Sequence, residues 1–239
     1  MPKRGRARDG EASGKSMPNF WNLTETLLPS IPIAVFDRCT LHRQTDTRLL
    51  LLGTSNETPS VIIDVDGGLG TIISASMRDD FERVALLTVV FETRIVVASS
   101  ITGEIVYNKE NPEATQAVIA GDCICLSAPT SVIVDHLAIE ADPVVYNYDN
   151  PLITAVNDSL ILCHSNYDGT FSIDQINVNE IEVTESKLYT GPTEMGMPLA
   201  IGSVKMSSGI FVRILCSSGL MVLSEDKFVK IKGDYCDVS

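Results

Sequence analysis

Residues 159–176 read SLILCHSNYDGTFSIDQI: an apolar run of aliphatic and β-branched residues, a short polar segment ending in Asp168-Gly169, and a second apolar run. Apolar runs of this length, bounded by Asn, Asp, Gly and Ser, are the pattern of a strand–turn–strand hairpin. The same plan recurs in residues 93–108 (TRIVVASSITGEIVYN), with Gly103 in the turn, and in residues 210–225 (IFVRILCSSGLMVLSE), with Gly219. Residues 47–65 (TRLLLLGTSNETPSVIIDV) are a looser copy with Pro59 in the connection. SVIVDHLAI and DPVVYNY add runs of the same kind, so the chain from Ile31 onward is expected to be all-β, built of antiparallel hairpins.

Two stretches depart from that pattern. PNFWNLTETLL, residues 18–28, sets Phe20, Leu23, Leu27 and Leu28 at helical spacing behind Pro18 and Asn19, which predicts a short N-terminal helix. In SMRDDFERVALLTVV, Ser76 followed by Asp79 resembles a capping box, and Phe81, Val84, Ala85 and Thr88 share a helical face, so helix and strand both stand open there.

Composition separates a tail from a body. Residues 1–16 carry Lys3, Arg4, Arg6, Arg8 and Lys15 against Asp9 and Glu11, with Gly, Ala and Ser between them, the composition of a disordered basic tail. Residues 17–239 are expected to form a single β-rich domain, since 44% hydrophobic residues suffice for a large core. The whole chain has a formal charge of -13, so the body is more acidic still and repels phosphate backbones and acidic membrane surfaces. If nucleic acid is met, the tail meets it. No apolar run approaches the roughly 20 residues that span a bilayer. No apolar segment follows the basic N-terminus as in a secretory leader, and most of the six cysteines lie inside apolar runs, so an intracellular, reducing compartment, nuclear or cytoplasmic, is expected.

The repeated hairpins resemble the inner hairpin of a β-propeller blade of the broad WD-repeat type, in which a strand ending in small residues turns through Asp-Gly or Thr-Gly into the next. The resemblance covers about a third of the chain and implies a propeller of about five blades at this length. The Trp-Asp and Gly-His pairs of that type are missing, and the intervals between Gly103, Gly169 and Gly219 exceed one blade of ~40 to 45 residues. A β-sandwich of antiparallel hairpins is the alternative architecture.

The sharpest catalytic pattern is VIIDVDGGLGT, residues 61–71, which resembles the first motif of haloacid-dehalogenase-type phosphatases. The resemblance implies that Asp64 attacks phosphorus and Asp66 protonates the leaving group, usually with Mg2+. Gly68 stands where that family has a threonine, and the hairpins downstream do not supply its alternating helices and parallel strands. A strand ending in an Asp-Gly turn is the expectation instead.

Cys123-x-Cys125 and Cys163-His164 invite a zinc reading. A strand directs Cys123 and Cys125 to one face, and zinc sites want close pairs with longer spacers, so packing is expected and no metal or other cofactor is assigned. Of His42, His136 and His164 none sits in a nucleophile elbow, and His136 is expected on the polar face of its strand. Lys3, Arg4, Arg6 and Arg8 fit an interaction tail, either an import signal or a nucleic-acid arm. Cys236-Asp-Val-Ser has the form of a prenylation box, with Asp237 where an aliphatic residue belongs.

The expected function is accordingly not enzymatic: a protein–protein interaction platform within an intracellular multiprotein assembly, bound through loops such as 76–83, 108–116 and 184–198. The alternative is a viral coat or nucleocapsid-type protein with a basic arm and a β-sandwich shell. A phosphatase using Asp64 and Asp66 is third.

Overall fold

A computed structural model describes residues 32–36, 38–54, 60–78, 85–178, 185–191, 196–206, 209–224 and 227–232. The chain divides into two units, Met1–Ile31 and Pro32–Ser239, and every described residue lies in the second. The tail residues Lys3, Arg4, Arg6 and Arg8, the helix expected over 18–28, and Cys236 all lie outside the described residues.

The described strands form five four-stranded antiparallel sheets, each made of four strands consecutive in the chain. The first holds β1 (Ala34–Val35), β2 (Cys39–Thr45), β3 (Arg48–Gly53) and β4 (Val61–Asp64). The second holds β5 (Ile72–Arg78), β6 (Leu86–Phe91), β7 (Arg94–Ser99) and β8 (Ile105–Glu110). The third holds β9 (Gln116–Ala120), β10 (Cys123–Ala128), β11 (Ser131–His136) and β12 (Val144–Asn147). The fourth holds β13 (Leu152–Val156), β14 (Ser159–Ser165), β15 (Phe171–Asn177) and β16 (Glu185–Gly191), and the fifth β17 (Pro198–Met206), β18 (Gly209–Cys216), β19 (Gly219–Ser224) and β20 (Lys227–Lys232). Among the described residues no helix is long and apolar enough to cross a membrane.

The unbroken apolar runs follow from burial on both faces of a strand. In β6, Leu87, Val89 and Phe91 point into a core shared with Leu41, Leu49 and Ile63 of the first sheet. Leu86 and Val90, one residue out of phase, point the other way into a core shared with Ile119, Ile124 and Leu126 of the third. The third and fourth sheets close over Cys125, Val134, Leu160 and Leu162, and the fourth and fifth over Cys163, Phe171, Ile214 and Met221. Each such side chain, fully buried, contributes about 1.5–3 kcal/mol. The first strands β5, β9, β13 and β17 also pack against one another in turn, as inner strands do around a propeller axis.

Polar ties stitch neighbouring sheets. Ser76 Oγ donates to the Ala117 carbonyl at 2.7 Å and Arg78 Nη1 to the Gly121 carbonyl at 2.5 Å. Buried Asp135 of β11 accepts from Tyr107 Oη at 2.9 Å and from Lys109 Nζ at 2.7 Å, both on β8. Burial and the Asp135 carboxylate push the Tyr107 hydroxyl up, so it stays a donor.

Several expectations need correction. The sandwich, and with it the shell of the coat-protein alternative, gives way to separate sheets stacked in series. The helical alternative at Ser76–Val90 fails where the chain is described: Ser76 is in β5 and Thr88 in β6, with β6 buried on both faces and β5 paired along it, while residues 79–84 lie outside the described residues. The hairpins that carried the propeller resemblance are not equivalent. Gly169 and Gly219 turn the second strand of a sheet into the third, whereas Gly103 turns a third strand into a fourth two sheets before Gly169, which is why the interval from Gly103 to Gly169 exceeds one blade.

Candidate functional site

Successive antiparallel strands put two kinds of connection on one side of the sheets: turns from second to third strand, and links from a fourth strand to the next sheet. On this side a cleft of about 570 Å³ opens between the third and fourth sheets. Its walls are Thr130 from the β10–β11 turn, Asn147, Tyr148 and Asp149 from the end of β12 and the link after it, and His164 to Tyr167 from the end of β14 and its turn. The tripeptide Asn-Tyr-Asp occurs at 147–149 and again at 166–168, and the cleft is lined by all of the first copy and by Asn166 and Tyr167 of the second.

The cleft is rigid at its base and open at its rim. Tyr148 N donates to the Thr130 carbonyl, Asn150 N to the Pro129 carbonyl, and Ser127 Oγ to the Pro151 carbonyl, which pin the link to the third sheet. His164 Nε2 lies 2.8 Å from Asp174 Oδ2, both largely buried, and the Tyr148 and His164 rings meet at 4.7 Å, tilted by 53°. Asn166 Nδ2 donates to Thr170 Oγ1 at 2.8 Å and Ser172 Oγ at 3.0 Å, while Asp168 accepts from the Thr170 amide and hydroxyl. This holds the turn so that Tyr167 stands fully exposed. Among the described residues His164 hydrogen-bonds Asp174 and no hydroxyl or thiol.

The same side carries the exposed carboxylates Asp46, Asp66, Glu92, Glu113, Asp149 and Asp168. Its guanidiniums are engaged: Arg43 pairs with Asp46 at 2.8 Å and donates to the Gly70 carbonyl, and Arg94 donates to the Asp66 carbonyl. A cationic, aromatic-seeking group matches this surface.

The residues singled out for chemistry are dispersed. Asp64 ends β4, an outer strand of an antiparallel sheet, and pairs with Arg48 at 2.5 Å in solvent; that guanidinium holds its carboxyl below the usual range. Asp66 sits in the following turn, where Gly67 takes φ +83°. The alternating helices and parallel strands of the haloacid-dehalogenase-type fold are replaced here by antiparallel hairpins. Cys123 and Cys125 both face the core between the third and fourth sheets, whereas Cys163 faces the fifth sheet and its neighbour His164 the cleft. Among the described residues no three His, Cys, Asp or Glu side chains gather as a metal set. His136 does not line a polar face; its Nδ1 lies 3.4 Å from the Cys123 sulfur at the edge of that core, because Val132 and Val134 share its side of β11. Of the expected loops, 108–116 runs through β8 into a link held by Asn111, 184–198 is largely the strand β16 with 184 and 192–195 outside the described residues, and 76–83 begins in β5 and continues outside them.

The thiols are inert by environment. Burial pushes Cys123 up to about 11 and Cys163 up to about 12, and raises Cys125 and Cys216 also. At about pH 8 a thiol reagent should therefore leave these four unlabelled in the folded protein and label them on unfolding. Because the fold favours the protonated thiol, stability should fall as pH rises above the ordinary value of 9.0 toward 11–12. Labelling of any of these four in the folded protein at the rate of an exposed thiol, mapped by peptide mass, would contradict this.

Five four-stranded sheets in chain order, the second, third and fourth each packed on a neighbour through both faces, give this chain a β-propeller-like fold. Among solved structures the chain is similar to BBS1N in complex with ARL6DN, soaked with lead, at 11% identity and a TM-score of 0.57, over 82% of this chain and 63% of that one. It is similar also to Kluyveromyces lactis Hsv2 with complete loop 6CD, at 9% identity and a TM-score of 0.56, over 82% of this chain and 58% of that one. The chain thus spans less than two thirds of either, and at these identities the likeness shows the fold alone. No protein-family model matches the chain, and no curated protein matches it in sequence.

Proposed function

We propose that this protein is a non-catalytic interaction platform within an intracellular assembly, and that the cleft between the paired Asn-Tyr-Asp tripeptides takes a basic segment of a protein partner. The observation that carries this is the cleft: a rigidly held base, exposed Tyr167, and the exposed carboxylate of Asp149 on its wall. An exposed tyrosine on a braced turn is the kind of anchor that dominates protein interfaces, and a Lys or Arg laid between Tyr167 and Asp149 gains both ring and carboxylate. The likeness to a propeller solved with a protein bound supports the reading, as do the buried thiols Cys123, Cys125, Cys163 and Cys216, which form no disulfide and suit a reducing compartment. Nucleic acid would be met only through Lys3, Arg4, Arg6 and Arg8.

Tyr167→Ala and Asp149→Lys test it. Both sites are exposed, so each variant should keep the far-UV spectrum and melting temperature of the parent while weakening capture of the partner from native cells by about tenfold or more. Undiminished capture by both variants would reject the cleft as the binding site.

A further inference from the structure

Asp66-Gly67 and Asp168-Gly169 are Asp-Gly pairs in exposed turns, and the fold treats them differently. An Asp side chain followed by Gly can close on its own backbone, because no Cβ shields the next amide nitrogen. At Asp168 both reacting groups are tied. Its Oδ1 accepts from the Thr170 amide at 2.9 Å and the Thr170 hydroxyl at 2.6 Å, and Gly169 N donates to the Asn166 carbonyl at 3.1 Å. At Asp66 neither group is held: among the described residues its carboxylate accepts no hydrogen bond and the Gly67 amide donates none.

Arg94, which opens β7, donates from Nη1 to the Asp66 carbonyl, the oxygen of the same peptide unit that carries the Gly67 N–H. Its Nη2 stands 3.1 Å from where a Cβ on Gly67 would lie. A guanidinium on that oxygen draws charge out of the amide, which makes the N–H more acidic and stabilises the nitrogen anion that attacks. Gly68 has nothing within 4 Å of its own Cβ position, so the turn has room to lengthen, while Val65 and Leu69 on either side stay buried.

We propose that Asp66 is a site of spontaneous conversion to isoaspartate, promoted by Arg94, and that the turn around Asp168 is built to resist the same reaction. The Gly67 nitrogen gives its proton to solvent and attacks Cγ of the protonated Asp66 carboxyl. The N–Cγ bond forms and a Cγ–O bond breaks; the departing hydroxide takes up a proton, so one water is lost and a cyclic imide remains. Water then adds to the main-chain carbonyl carbon of Asp66 and the bond from that carbon to the Gly67 nitrogen breaks. The backbone now runs through the side chain, one methylene longer, and the former main-chain carbonyl is a carboxylate. That oxygen is the one Arg94 holds, so a hydrogen bond to an amide becomes an ion pair. The site is separate from the cleft, and the proposal stands independently of the reading given to it.

Incubation of the full chain at neutral pH, folded and in urea, tests this, with isoaspartate mapped by peptide fragmentation and by methyl transfer from S-adenosylmethionine with an isoaspartyl methyltransferase. In the folded chain isoaspartate should accumulate at Asp66 about tenfold or more faster than at Asp168, where the tied groups must first open. In urea the two rates should converge. Arg94→Gln should slow conversion at Asp66 about threefold or more in the folded chain and leave the rate in urea unchanged. Equal rates at the two sites in the folded chain, faster conversion at Asp168, or no slowing by Arg94→Gln would each overturn the proposal.

Discussion

Replacing Phe91 by alanine should cost about 3–5 kcal/mol of folding stability, the largest effect expected of any single truncation here. Phe91 ends β6, is fully buried, and fills the core between the first and second sheets with Leu41, Leu49, Leu51 and Ile63. Apart from Ile63 on the outer strand β4, these residues sit on strands held by ladder bonds to both sides, so the site resists collapse around the cavity that alanine leaves. The Phe91 carbonyl also accepts from Asn111 Nδ2 at 2.7 Å, which ties the strand end to the link before β9. A urea titration reads the loss directly as a lowered midpoint. A midpoint unchanged within error would mean that these two sheets do not meet through this face.

Gly103→Ala is the second, and a control separates its two causes. Gly103 turns β7 into β8 at φ +76°, where an L residue costs about 1–2 kcal/mol. An added Cβ would also stand inside contact distance of the Ile62 carbonyl oxygen and against Val61 Cγ1, so the second sheet's turn would have to lift from the outer strand of the first. Gly169, at φ +79°, has nothing within 4 Å of the same position. Gly169→Ala should therefore show the conformational cost alone, and Gly103→Ala a larger loss, by at least about 1 kcal/mol. Equal losses, read from paired thermal melts, would contradict the close approach of the two sheets.

The strands were legible because each apolar run is buried on both faces: CICL, IVV and LILC state that directly. Sheet membership was harder to read, since the hairpin plan is the same whether a turn joins second to third strand or third to fourth. Treating Gly103 and Gly169 as equivalent thus obscured the period. The stretch around Ser76 read ambiguously because burial on both sides removes the alternation that distinguishes a strand from a helix. The cleft had a signal that residue chemistry alone passes over, the repeated Asn-Tyr-Asp at 147–149 and 166–168. Only the antiparallel geometry, which places a sheet-to-sheet link beside the next sheet's turn, brings the two copies together. The Asp-x-Asp motif misled for a local reason: Asp64 is drawn outward to Arg48 across the β3–β4 ladder.

The most direct test of the platform reading is hydrogen exchange on the chain alone and on the chain purified with its partner. The account predicts slowed exchange on binding in residues 128–131, 147–151 and 164–170, with the strands between unchanged. Slowed exchange elsewhere, with these three segments unaffected, would contradict it.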